Sequence, residues 1–141
     1  GDEPFINPKD INNLFDLVSK KEIVMGTLYS DLKSLDELED LNKVKILVND
    51  GIASNFFRET SQENNIFIHQ GVYAFKYKTL KSFVSWQPSD NEKKYKLEQF
   101  RALDNGIKIN AIKSVSKIHL GVDTEDDLKK ANEIAKDDSY K

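Results

Sequence analysis

The sequence predicts an α/β fold, and three observations carry that prediction. Segments with helical periodicity alternate with short apolar runs of strand type, which favours mixed layers over separate all-α or all-β ones. Asp50-Gly51 separates two such runs, the strongest short hairpin signal in the chain. Helix starts are written at Asn7-Pro8, at Ser89-Asp90-Asn91-Glu92 and at Thr124.

Each element follows in order. Asn7 reads as a cap with Pro8 at the first helical position, and Ile11, Leu14, Phe15 and Val18 mark one face of a helix over 8–20. Residues 23–29 read as a strand and 35–41 as a short acidic helix. Residues 44–49 and 52–57 are the arms of the hairpin, and 66–75 is a further strand. A helix over 78–86 is followed by a second, from the Ser89–Glu92 capping box to near Gly106, with Leu97, Phe100 and Leu103 on its buried side. Residues 107–112 alternate like a strand, and the last helix begins at Thr124. The turn-like opening Gly1-Asp2-Glu3-Pro4 reads as though a strand should stand before it.

The 141 residues suit one domain, and 38% hydrophobic residues suffice for a core. A net charge of −3 argues against a nucleic-acid binder, which would carry a basic stripe. Without cysteine there is no disulfide, zinc–thiolate or thiol chemistry. No run approaches the roughly 18 apolar residues of a membrane span, and no signal peptide opens the chain, so a cytoplasmic protein without membrane partners is expected. Arg58 and Arg101 are the only arginines, each suited to bidentate recognition of a carboxylate or phosphate. His69 and His119, the only histidines, do not stand at helical metal-ligand spacing, and there is no Gly-rich phosphate loop.

Four groups of residues could carry chemistry. In "HLGVDTEDDL" (119–128), helix-start chemistry accounts for Glu125, Asp126 and Asp127, but not for Asp123, which precedes the cap. Loop acids at strand ends in α/β sheets lie where ligands bind, although taken alone Asp123 reads more readily as a turn residue. Asp2 and Glu3 form a second acidic turn; two carboxylates from separate strand ends suit Mg²⁺, while the pattern alone favours a solvated terminus. In "IHQGVYA" (68–74), His69, Gly71 and Tyr73 share a strand face and could frame a shallow polar slot, or simply pack as core. Glu98 and Gln99 lie between apolar anchors, so at least one could face inward and grip sugar hydroxyls, with an ordinary helix flank slightly favoured.

Together these blocks resemble the C-terminal portion of 3-deoxy-manno-octulosonate cytidylyltransferase, the CMP-Kdo synthetase family. "GDEP" (1–4), "NKVKILVND" (42–50), "HQGVYAF" (69–75), "WQPS" (86–89), "KLEQFRALDNG" (96–106) and "GVDTEDDL" (121–128) follow in the family's order. The H-x-G-x-Y strand and L-E-Q-x-R are the more particular of these; the acidic helix start recurs in related nucleotidyltransferases.

The resemblance implies a nucleotide-diphospho-sugar transferase-like three-layer fold with a mixed sheet and a hairpin extension, with residues 1–141 as a single, partial domain. It implies transfer of a cytidylyl group from CTP to Kdo, giving CMP-Kdo and pyrophosphate for lipopolysaccharide synthesis. Asp2 and Asp123 would be the Mg²⁺ carboxylates; His69, Tyr73, Glu98 and Gln99 would contact the octulosonate, and Arg58 matches a family arginine after the hairpin. A homodimer is implied as well. The family's P-A-R…R-L-P-x-K segment for CTP is not among these residues, so the chain alone is expected neither to bind CTP tightly nor to turn over. Missing first strands are further expected to leave an exposed sheet edge that promotes self-association.

"FRETSQENN" (57–65) lacks the Ile-Pro and second arginine usual after the family's hairpin, Tyr95 stands where glutamate is common, and Asp90-Asn91 replaces Pro-Leu. These departures leave open a cytidylyltransferase for another acidic sugar, or a non-catalytic dimerising α/β module.

Overall fold

The computed structural model describes residues 2–60 and 64–137. The chain divides into two compact units, Leu14–Ser114 and the pairing of Gly1–Asn13 with Val115–Lys141. Helix α1 (Pro8–Ser19) crosses the boundary in sequence; the others are α2 (Leu35–Glu39), α3 (Tyr77–Ser85), α4 (Asp90–Tyr95), α5 (Phe100–Asp104) and α6 (Glu125–Lys136).

Among the described residues the larger unit holds five strands, β1 (Met25–Ser30), β2 (Lys45–Asn49), β3 (Ile52–Phe57), β4 (Ile66–Phe75) and β5 (Ile109–Lys113). They close in the order β1-β4-β2-β3-β5. Only the β1–β5 pair is parallel, so the sheet is mixed, as expected. The expected open edge is not found among the described strands. The hairpin tip bends back onto β5, pairing Ile52 with Asn110 and Ala53 with Ile109, and Ala111 N–H donates to the Gly51 carbonyl at 2.9 Å. A two-stranded ribbon twists more strongly than a wide sheet, which lets its tip reach a strand its base does not touch.

Asp50 and Gly51 both have positive φ, +49° and +73°, the conformation a two-residue type I′ hairpin turn demands. Inside the ring, Met25, Ile46, Phe56 and Ile109 are essentially inaccessible, and Phe83 and Phe100 from the helices and Leu97 from the segment between α4 and α5 join the same cluster. Gly26 lets α1 lie close to β1, since a Cβ there would stand 2.9 Å from Leu17 Cδ2.

The helix expected from Ser89 to near Gly106 is two helices, broken at Lys96, which takes a left-handed φ of +54°. The reason is burial. Leu97, Gln99 and Phe100 are all buried, yet residues two apart on one helix point about 200° apart. A break at Lys96 resolves that conflict. The capping box at Ser89 forms as read, with Glu92 N–H donating to Ser89 Oγ and Ser89 N–H to Glu92 Oε2.

Lys45 is a second departure from simple patterning, a lysine with no accessible surface. Its ammonium donates to the carbonyls of Asp40 at 2.6 Å, Lys43 at 2.9 Å and Arg58 at 2.7 Å. Three acceptors match the three donors of the ammonium, although burial still holds its pKa below the ordinary lysine range.

In the smaller unit, two segments distant in sequence are laced together. Val122 N–H donates to the Asp2 carbonyl at 2.8 Å, and Asn7 N–H to Ser116 Oγ at 2.9 Å. Asp10, fully buried, accepts from the backbone of Val115 and Ser116 and from Ser116 Oγ. Among the described residues no helix is long and apolar enough to cross a membrane.

Candidate functional site

Two clusters collect the residues singled out in the sequence. In the larger unit, β4 carries His69 and Tyr73 on either side of a bulge. Thr27 of β1 pairs with Tyr73 and Leu28 with Gln70, so Gly71 and Val72 stand as extra residues between them. Two extra residues preserve the alternation, and His69 and Tyr73 share a face with ring centroids 5.6 Å apart. Gly71 is exposed, and a Cβ there would meet nothing within 4 Å. The space beside it is open rather than a walled slot.

The His69 ring is closely enclosed although the residue keeps some surface, and it meets Phe56 edge-on at 5.0 Å. Burial lowers its pKa from 6.5 to about 3, so it is neutral at pH 7. Its Nε2 lies 2.9 Å from Thr27 Oγ1. Burial, and then the charge of Glu98, raises the Tyr73 hydroxyl well above the ordinary tyrosine range, which keeps it a donor. Glu98 is thus an electrostatic neighbour of Tyr73. Gln99 is the inward-facing member of its pair, at 4% exposure, and Glu98 is the exposed one.

Arg58 is placed differently. Its guanidinium donates to the carbonyls of Leu41 at 3.2 Å and Lys96 at 3.4 Å, bridging the start of the hairpin to the break before Glu98.

The smaller unit gathers Asp2, Glu3 and Asp123 around Gly121. A Cβ on Gly121 would lie 3.6 Å from Glu3 Oε1, 3.8 Å from Asp123 Oδ2 and 3.9 Å from the Asp2 carbonyl. Burial raises the pKa of Glu3, and the charges of Asp2 and then Asp123 raise it further. The carboxylates therefore feel one another, and a cation placed among them would relieve that repulsion. Among the described residues no three acids or histidines form a ready cage for a metal ion. Hard oxygen donors in small number are nonetheless what Mg²⁺ accepts when waters and phosphates complete its shell.

Thr124 and Asp127 form the capping box that starts α6, with Asp127 N–H donating to Thr124 Oγ1 and Thr124 N–H to Asp127 Oδ2. Asp123 contributes only its backbone N–H to Asp127, and so is not the cap.

Sequence reasoning passed over Glu3 as a partner of Asp123, and Thr27 and Phe56 beside His69. The signal for Thr27 was a hydroxyl residue inside an otherwise apolar strand; nothing local marked Phe56.

A cytidylyltransferase family profile matches residues 1–109. The 3-deoxy-manno-octulosonate cytidylyltransferase 2 of Actinobacillus pleuropneumoniae serotype 5b is 33% identical over 95% of this chain, and the enzyme of Koribacter versatilis is 34% identical over 95%. The chain spans 60% and 53% of these relatives' own lengths. A solved CMP:2-keto-3-deoxy-manno-octonic acid synthetase complexed with CTP superimposes with a TM-score of 0.85 at 27% identity, covering 96% of this chain and 59% of that one.

Proposed function

Because the chain belongs to the cytidylyltransferase family, we propose that it serves cytidylyl transfer from CTP to Kdo, giving CMP-Kdo and pyrophosphate for lipopolysaccharide synthesis. The observation that carries this reading is the grouping of His69, Tyr73 and Glu98 on one side of the larger unit, in the family's motif order. A neutral histidine and a protonated tyrosine side by side supply one acceptor and one donor, or two donors, to a polyhydroxylated acid. Gln99 and Arg58 complete the proposed sugar contacts, Arg58 through a guanidinium released from its carbonyl partners.

Asp2 and Asp123 are proposed to hold Mg²⁺. When bound, the ion would neutralise charge on the triphosphate and lower the pKa of the attacking hydroxyl. The chain's own part is positional. The Asp2–Val122 hydrogen bond keeps the two acid-bearing segments in register, and the α6 capping box leaves the Asp123 carboxylate free of capping duty.

The chain by itself is proposed to bind Kdo without turning over. Calorimetry with Kdo and CTP, together with a pyrophosphate assay in Mg²⁺, tests this. Kdo binding with neither micromolar CTP binding nor pyrophosphate release is the expected result; tight CTP binding would overturn this reading. Preference for an amino-substituted acid would move the substrate to that sugar. Binding of no acidic sugar would leave a non-catalytic module. A homodimer belongs to the same proposal, supported by the exposure of Tyr77 and Val84 on α3, and sedimentation tests it.

A further inference from the structure

Thr27 has no accessible surface, and its one hydroxyl faces three partners. Oγ1 stands 3.0 Å from the Val72 carbonyl, 3.3 Å from the Gln70 carbonyl and 2.9 Å from His69 Nε2. The two carbonyls belong to the β4 bulge. A hydroxyl has one proton to give and two lone pairs to receive with. Carbonyl oxygens only accept, so the Thr27 proton goes to the bulge. The remaining contact is satisfied only when His69 Nε2 carries a proton and donates it to Oγ1. With the opposite tautomer the single proton would turn to Nε2, leaving two carbonyl oxygens facing hydroxyl lone pairs at a residue with no accessible surface.

The other nitrogen follows by elimination. Nε2 is taken by Thr27, and among the described residues no hydrogen bond is formed at His69 Nδ1, so Nδ1 is the nitrogen left for a ligand. We propose that Thr27 is a positioning residue that holds His69 as the neutral Nε2–H imidazole, leaving Nδ1 as a hydrogen-bond acceptor for a ligand hydroxyl. Burial of the ring, which keeps it neutral at pH 7, agrees with this. Beside it the Tyr73 hydroxyl donates. Acceptor and donor together complement a sugar hydroxyl, whereas a carboxylate would be repelled at Nδ1. The acceptor role deepens the function proposed above and rests on it for the ligand's identity; the tautomer does not.

The experiment is nitrogen-15 NMR of the imidazoles in the intact chain, with His119→Gln to assign the second histidine. At neutral pH the expected His69 signals are a pyrrole-like Nε2 and a pyridine-like Nδ1, with an Nε2-bound proton visible in water and close to the Thr27 methyl. Thr27→Ser should keep this pattern, and Thr27→Val should lose it to a tautomer mixture. A protonated Nδ1 in the wild type would overturn the proposal whether or not any variant folds. An unchanged tautomer in folded Thr27→Val would also overturn it.

Kdo titration should move the Nδ1 resonance more than Nε2. Kdo binding that leaves Nδ1 unmoved would overturn the acceptor role. A chain that binds no Kdo would fail the proposed function, while the ligand-free tautomer result still decides the role of Thr27.

Discussion

Arg101 grips Glu92 through two hydrogen bonds, Nε to Oε2 at 2.8 Å and Nη2 to Oε1 at 2.5 Å, with its guanidinium 4.9 Å above the Phe83 ring. One ion pair thereby ties α4 to α5 across the break at Lys96, and a cation–π contact ties both to α3. Glu92 also holds the Ser89 backbone in the capping box, so a single carboxylate serves the helix start and the clamp. The hydrogen bond from Arg101, more than any other factor, holds its pKa below the ordinary range.

Glu92→Gln should therefore cost about 1.5–3 kcal/mol in urea unfolding at pH 7, the range for hydrogen bonds to a charged group. The folded pKa of Glu92 is lowered, so its contribution is present above the unfolded value of 4.5 and fades as pH falls through the folded value. Wild type and Glu92→Gln should converge in stability under acid; a gap that persists there would show that the charge is not the cause.

His69 sets a second acid limb with a different start. It is held neutral in the folded chain down to about 3, whereas the unfolded state gains a proton from 6.5 downwards. Stability should fall between those values at up to about 1.4 kcal/mol per pH unit from this residue. In His69→Phe the slope between pH 6 and pH 5 should flatten by about that amount; an unchanged slope would refute the buried neutral imidazole.

Lys45→Met removes an ammonium that donates to three carbonyls at 2.6–2.9 Å. The Asp40 carbonyl keeps the Lys43 N–H at 3.1 Å, while the Lys43 and Arg58 carbonyls lose this donor; at about 1–3 kcal/mol for an unpaired buried acceptor, a loss of about 2–3 kcal/mol is expected in denaturant unfolding. Lys45→Arg should not restore stability, because a planar fork cannot reproduce the ammonium's three directions. Full stability of Lys45→Met would show that the cage is incidental.

Gly51→Val puts a β-branched residue at φ +73° in the hairpin turn. The expected cost is about 1–2 kcal/mol, since left-handed backbone is disfavoured for L side chains and most of all for β-branched ones. Nothing lies within 4 Å of the added Cβ, so any destabilisation reports backbone strain and not a clash. Thermal unfolding of Gly51→Val against Gly51→Asn, which tolerates this region, separates the two.

Mn²⁺ as a paramagnetic stand-in for Mg²⁺ should broaden amide signals around Gly121 and Val122 before those of the larger unit. Asp123→Asn should abolish that selectivity, and Asp2→Asn should weaken it. Uniform broadening in the wild type would refute a cation site at these acids.

Much was legible because it was local. The Asp50-Gly51 turn, the caps at Ser89 and Thr124 and the span of β4 depend on interactions within a few residues, and each formed as read. Local chemistry also separated Asp123 from its acidic neighbours, because capping needs Asp127 and not the residue before the cap.

What the sequence by itself determined is the order of helices and strands, the hairpin turn, the helix starts and the family. Only the tertiary structure decided the break at Lys96, the closure of β3 onto β5, the three-carbonyl cage of Lys45 and the pairing of Thr27 with His69. The physical reason is distance along the chain. Thr27 and His69 are 42 residues apart, and Arg58 reaches a carbonyl 38 residues away. Periodicity reports which face of an element is apolar, but it cannot say which buried hydroxyl a bulge on another strand will meet. That meeting is what selects the proton on His69.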